Sequence, residues 1–276
     1  MKESPTVESA TRLPTYFISH GGGPWPWVKD LIPFDVRDLE ESLQSIPGQV
    51  GDPTAVLCVT AHWEAPTFTV GTAAQPPMLY DYGGFPDFTY RLRYPAPGHP
   101  GVAARVLELL GSAGIPATED SQRGYDHGTF VPLFVAWPDA RVPVVQMSIK
   151  WGFDPEDHLA VGRALTPLRD EGVLIVGSGL SYHNLRRFGP DAAEPSRQFD
   201  DWLYRAMEAD PDTRTKELIS WEQAPAARTC HPREDHLLPL MVALGAAEGE
   251  QALRNYHGSM GGALASGYRF GALPVR

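Results

Sequence analysis

The sequence predicts an α/β fold: a single domain with a mainly parallel central sheet flanked by helices on both faces. Three observations predict it. Short apolar runs rich in β-branched residues read as buried strands. They alternate with amphipathic stretches of helical spacing, which argues for a parallel sheet covered on both sides. No internal repeat, low-complexity tract or linker-like change of composition divides the 276 residues. Residues 15–276 are therefore expected to form one catalytic domain, with a flexible N-terminal tail over 1–14.

The elements follow in chain order. "TYFISH" (15–20) is an apolar run that ends in a histidine and a glycine triplet. "DVRDLEESLQSI" (35–46) places Val36, Leu39, Leu43 and Ile46 on one helical stripe. "TAVLCVTAHW" (54–63) and "TFTVGT" (67–72) read as two more strands. The stretch 73–98 has no helical period but is rich in Tyr and Phe, so an ordered excursion over the sheet edge or a site is expected. "PGVAARVLELLGSAG" (100–114) is an amphipathic helix closing at a glycine. "RGYDHGTFVPL" reads as a loop before an apolar run, and "VPVVQMSI" (142–149) as a strand. "DPEDHLAVGRALTPLRDEG" (154–172) opens on Asp-Pro and ends at a glycine, as a helix does. "GVLIVGSG" (172–179) is the fifth strand, and helices follow over 196–210 and 235–249.

Composition excludes several classes. Net charge is −11, from 23 basic and 34 acidic residues, and no basic stripe offers a nucleic-acid footprint. No window reaches the apolar length of a membrane span and no signal-like segment opens the chain, so a cytoplasmic protein without a membrane partner is expected. Two cysteines are no disulfide framework. Cys58 lies in an apolar run and reads as a small buried hydrophobe; Cys230, beside His231, leaves a metal role conceivable.

The nine histidines carry the chemistry. His20 and His62 share a place at the carboxyl end of a strand, and His183 follows the strand that ends in Gly-Ser-Gly. In open α/β sheets ligands bind outside those ends. His127 stands between Asp126, which can orient an imidazole, and Gly128. His231 and His236 flank Glu234 and Asp235, and His236 opens an apolar helix. His99, His158 and His257 have no neighbouring chemistry and read as structural or surface residues. Several imidazoles with few thiols suit a divalent metal such as Fe(II) or Zn(II), with three ligands, open positions and an unligated histidine to move protons. The P-loop, dinucleotide, nucleophile-elbow and zincin patterns are all absent.

The ordered set "SHGGGP", "AHWE", "GFPDFTYRLRYPAPGHP", "YDHGTFVPL", "GSGLSYHNL" and "DHLLPL" resembles the class III (LigB-type) extradiol ring-cleavage dioxygenases, in their 4,5-DOPA dioxygenase-like branch, from residue 16 to 271. The resemblance implies metal ligands at His20, His62 and His236, an acid/base at His183 and a substrate-contacting histidine at His127. It implies Fe(II) for activity, with Zn(II) as an ion the three imidazoles also suit. The substrates implied are a small aromatic diol, DOPA-like or related, and O2, and the product is a muconic semialdehyde. Glu234 and Asp235 keep a carboxylate ligand open. Arg91 and Arg93 are candidates for a substrate carboxylate, and Tyr125, Asp126 and His231 for further substrate contacts. A monomer or small homo-oligomer is expected. Two other functions use the same residues: a zinc hydrolase, and a catalytically inactive binding protein of the same fold.

Overall fold

The computed structural model describes residues 12–274 and gathers its strands into one sheet. The strands are β1 (Thr15–Ser19), β2 (Ala55–Ala65), β3 (Phe68–Gly71), β4 (Ala117–Asp120), β5 (Val144–Lys150), β6 (Val173–Gly179), β7 (Ala252–Met260) and β8 (Ala263–Phe270). Their order across the sheet is β4-β3-β5-β2-β6-β1-β8-β7. The centre, β5-β2-β6-β1, is parallel throughout. Antiparallel pairings join β3 to β5 and the hairpin β7–β8 to β1.

Helices cover both faces. They are α1 (Arg37–Val50), α2 (Pro100–Ser112), α3 (His127–Ala136), α4 (Pro155–Leu165), α5 (Pro190–Glu208), α6 (Pro211–Ile219), α7 (Ala227–Cys230) and α8 (Leu238–Gly245). Successive strand residues point to opposite faces, so both halves of each apolar run are used. Tyr16, Ile18, Val56, Cys58, Leu174 and Val176 pack with Leu39, Leu43 and Ile46 of α1 and with Phe130 and Leu133 of α3. Phe17, Leu57, Val59 and Ile175 pack with Val106 of α2, Leu159 of α4, Phe199 of α5 and Leu240 of α8. Burying each large aliphatic side chain contributes roughly 1.5–3 kcal/mol.

Several boundaries differ from expectation. The helix expected over 154–172 ends at Leu165 and tightens into a 3-10 turn over Thr166–Arg169, where Pro167 has no N–H to give. Residues 1–11 of the expected tail lie outside the described residues. Residues 12–14 are tied down: Arg12 pairs with Asp170 at 2.6 Å, and the Leu13 N–H donates to the Arg169 carbonyl at 3.1 Å. The excursion 73–98 is ordered, and the hydroxyls of Tyr80 and Tyr82 donate to the carbonyls of Leu92 and Thr89 at 2.5 and 2.7 Å. Among the described residues no helix is long and apolar enough to cross a membrane.

One close approach fixes the far side of the site. A Cβ on Gly179 would stand 2.1 Å from the His236 carbonyl oxygen. Without it, the segment entering α8 lies directly on the end of β6, held by the Leu180 N–H to the His236 carbonyl at 3.0 Å. Gly179→Ala forces that segment away and is expected to cost about 1–3 kcal/mol, a drop of several degrees in Tm by calorimetry. Gly111→Ala, inside α2 with nothing near the added Cβ, is expected to leave Tm unchanged or raise it.

Candidate metal centre and active site

Parallel register delivers the histidines to one edge. Ser19 stands beside Gly179 and Thr60 beside Ser178, so β1, β2 and β6 reach the same level together. His20 follows β1 directly. β2 continues beyond that level, and its pairing with β5 jumps from Val59–Met147 to Glu64–Ile149. The irregular stretch between carries His62 away from regular pairing, which is what a bulge does to a side chain. His183 lies just past β6, its N–H donated to the Cys230 carbonyl at 3.0 Å. His236 arrives on the segment that crosses β6 ahead of α8.

His127 is not in a loop. It is the first residue of α3, whose N-cap Asp126 accepts from the Thr129 N–H at 3.1 Å. The carboxylate that holds its ring is Asp81 instead, from the excursion. Asp81 Oδ1 accepts from the His127 N–H at 2.9 Å and lies 2.8 Å from His127 Nδ1. Its other oxygen lies 3.2 Å from His62 Nδ1.

These contacts fix the tautomers. His20 Nδ1 is 2.7 Å from the Gly21 carbonyl, an acceptor only, so Nδ1 carries the proton. His62 Nδ1 faces the Asp81 carboxylate, and His236 Nδ1 faces Asp235 Oδ2 at 2.7 Å. In each ring Nε2 is left with a lone pair. His20 Nε2 is buried without a hydrogen-bond partner, and the Nε2 atoms of His62 and His236 face each other at 3.2 Å. Two nitrogens on one tetrahedral ion stand about 3.3 Å apart, given metal–nitrogen bonds of about 2.0–2.1 Å. His20, His62 and His236 each bring a ligand atom within 4.8 Å of the others, so the set fits a divalent metal on donor type and spacing.

The electrostatics keep His20 and His236 neutral. Burial first, then neighbouring imidazoles, holds His20 and His236 well below the usual imidazole range. Burial and the nearby His231 push His183 down to about 3. Burial alone would raise the Asp81 carboxyl, but hydrogen bonds from His127 and His62 outweigh it and hold it well below the carboxylate range. Asp235 is pushed up to about 6, chiefly by burial. His183 stacks on His236 with ring centres 3.4 Å apart. Its Nδ1 is 4.0 Å from Asp235 Oδ2, beyond hydrogen-bonding length.

The five histidines line one cavity of about 570 Å³ together with Asp81. The glycine triplet forms part of its wall. Gly21 has φ +76° and a Cβ there would meet Trp25 at 2.5 Å, whereas a Cβ on Gly22 would meet nothing. The turn therefore needs glycine at its first position, and Trp25 Nε1 donates to the His20 carbonyl at 2.9 Å across it.

Other residues singled out in the sequence lie elsewhere. Arg91 and Arg93 are exposed and do not line the cavity. Tyr125 is buried with its hydroxyl on the Val144 carbonyl at 2.9 Å. Asp126 is buried and taken up by Thr60, Arg123 and Gln146. His231 packs behind the site against Phe199 and Trp221, with Nε2 2.9 Å from the Ser181 carbonyl. Glu234 pairs with Arg228 at 2.7 Å, and Cys230 gives its thiol to the Pro195 carbonyl. Of the three remaining histidines, His99 caps α2, His158 accepts from the Lys150 N–H, and His257 faces Asp200.

Fold and site together define a histidine-lined pocket with the donor set of a metal site at the carboxyl edge of a parallel sheet, and comparison with known proteins gives the family. Residues 27–271 match the LigB family, the catalytic LigB subunit of aromatic ring-opening dioxygenase, and the chain belongs to that family. It is an extradiol ring-cleavage dioxygenase, an oxidoreductase. The 4,5-DOPA dioxygenase extradiol of Beta vulgaris is 36% identical over 263 residues, spanning 93% of this chain and 96% of the relative. The protein of the same name in Escherichia coli (strain K12) is 34% identical over 256 residues and 90% of each chain. Dioxygenase tasH of Hapsidospora irregularis is 36% identical over 272 residues, 90% of this chain and 83% of its own. The crystal structure of an uncharacterized protein from Escherichia coli K12 superposes with a TM-score of 0.77 at 30% identity, over 94% of this chain and all of the other. The family implies a metal cofactor, an aromatic substrate and O2.

Asp81 is the residue on which two histidine orientations rest. Asp81→Asn removes the charge that draws both Nδ1 protons, and metal affinity is expected to fall about 10- to 100-fold. Competition with a chromophoric chelator measures it. An unchanged affinity contradicts the role given to this carboxylate.

Proposed function

We propose that the protein opens the ring of a catechol beside its diol, adding both atoms of O2 to give a muconic semialdehyde, with Fe(II) held by His20, His62 and His236. The observation that carries this reading is the convergence of three Nε2 lone pairs on the floor of a cavity roomy enough for an aromatic ring. Iron, when bound, supplies the one-electron chemistry that couples oxidation of the ring to reduction of O2.

The chain's own groups handle position and protons. His183 lines the cavity as a neutral imidazole with Nδ1 unengaged by Asp235. It accepts a phenolic proton as the diol docks and returns it as the ring opens. His127, its Nδ1 held by Asp81, turns Nε2 toward the substrate and orients it. The stack of His183 on His236 sets the base one ring's thickness from a ligand. Burial of the floor keeps stray water from the reacting carbon.

Protein loaded anaerobically with Fe(II) is expected to take up one O2 per catechol and form a yellow product. Hydrolysis without oxygen uptake contradicts the proposal and favours a zinc hydrolase. His183→Ala is expected to keep stoichiometric metal while kcat falls about 10²- to 10⁴-fold; metal analysis beside turnover separates the two effects. Loading with metal is also expected to raise Tm, because an ion that binds only the folded chain stabilises it by mass action.

A further inference from the structure

The walls of the cavity differ in chemistry from its floor. Above the histidines and Asp81, the lining includes Leu31, Phe34, Leu180, Leu185, Phe188 and Met260. Three of these are large apolar side chains left in water: Leu31 is 64% exposed, Leu185 73% and Phe188 40%. Exposed apolar groups gathered at a cavity are the mark of a ligand surface. Among the described residues, no lysine or arginine lines it. Lys29 and Arg37, on the segment that flanks Leu31 and Phe34, are paired with Glu40 and Asp35. Arg186 and Arg187 follow Leu185 in the chain but are exposed and outside the lining. The single carboxylate, Asp81, has both oxygens engaged by His127 and His62.

We infer that the substrate is a catechol carrying a bulky, uncharged apolar substituent, its diol on the histidines and its substituent against Leu31, Phe34, Leu185 and Phe188. This rests on the catechol reading above and narrows it. An amino-acid catechol would bring a carboxylate and an ammonium into a wall that offers neither a free cation nor a free anion. Against this wall a charged group gives up part of its hydration with no ion pair in return. A carboxylate would also face the negative charge of Asp81. An alkyl or aryl substituent instead gains by covering exposed apolar surface. The inference separates this chain from relatives whose name specifies 4,5-DOPA.

The test compares 4-butylcatechol with 3-(3,4-dihydroxyphenyl)propanoate, of similar length but charged, and with L-DOPA and dopamine. Two readouts are taken on iron-loaded protein: kcat/KM by oxygen uptake, and Kd by anaerobic calorimetry. Butylcatechol is expected to be favoured at least about ten-fold in both over each charged analogue. Equal or better use of L-DOPA or the propanoate overturns the inference. Leu185→Arg places a cation on the wall at an exposed position, and is expected to narrow the gap between butylcatechol and the propanoate. A gap that does not move also counts against the apolar wall as the source of selectivity. If oxygen uptake is absent for every catechol while butylcatechol still binds most tightly, the catechol-cleavage reading fails and the selectivity inference stands. If uptake is brisk and L-DOPA is preferred, the reverse holds.

Discussion

Three imidazoles can aim lone pairs at one point only if each gives its other ring proton to a fixed acceptor. Here the acceptors are a backbone carbonyl at Gly21, the carboxylate of Asp81 and the carboxylate of Asp235. Gly21 and Asp235 are chain neighbours of the histidines they hold, while Asp81 reaches His62 across the fold. The cost is a set of buried nitrogens facing one another, including an unpartnered Nε2 on His20. Such a cluster is unfavourable by itself, because buried polar atoms left without partners forfeit their hydration. A divalent cation there would resolve it, since all three atoms would be satisfied at once.

The sheet makes that arrangement possible. Parallel pairing of β1, β6 and β2 brings strand ends to a common level, and a parallel sheet needs helices to connect its strands, which bury both faces. The register shift of β2 between Val59 and Glu64 falls at His62 and breaks its regular pairing with β5. Glycine at 179 lets the His236 segment cross β6 at backbone distance. The fold thus holds one edge rigid and leaves the wall opposite to loops, where apolar side chains such as Leu185 and Phe188 meet solvent. In the reading proposed above, chemistry sits at the strand ends and selectivity on the loops, the usual division between scaffold and loop.

Much of this was legible in the sequence, for identifiable reasons. The central strands are buried on both faces, so their composition is apolar and easily read; His20, His62 and His183 stand out because they follow those runs, and the fold brings all three to one cavity. The hairpin β7–β8 is harder to read because its strands carry Arg254, Asn255 and His257, although Gly261-Gly262 between them is a turn signal. α3 was hidden by Pro132 and by uniform apolarity, which gives a buried helix no period to detect. Asp81 was out of reach: it lies in a segment without regular structure, and its partners are 46 residues away for His127. Asp126, adjacent to that histidine, was the obvious partner, but its side chain turns to Thr60 and Gln146 instead. Neighbours in sequence at a helix start point different ways, and only packing decides which one reaches the ring. Arg91 and Arg93 illustrate the converse, since charge in an aromatic segment suggests a substrate clamp while the fold leaves both outside the lining.

X-ray absorption on iron-loaded protein is the most direct measurement of the central claim. Three imidazole nitrogens in the first coordination shell, with the multiple-scattering pattern of histidine rings, are predicted. That shell should lose one imidazole in each of His20→Ala, His62→Ala and His236→Ala that still retains metal. A shell built mainly from carboxylate oxygens or thiolate sulfur, or one left unchanged by these substitutions, would contradict it.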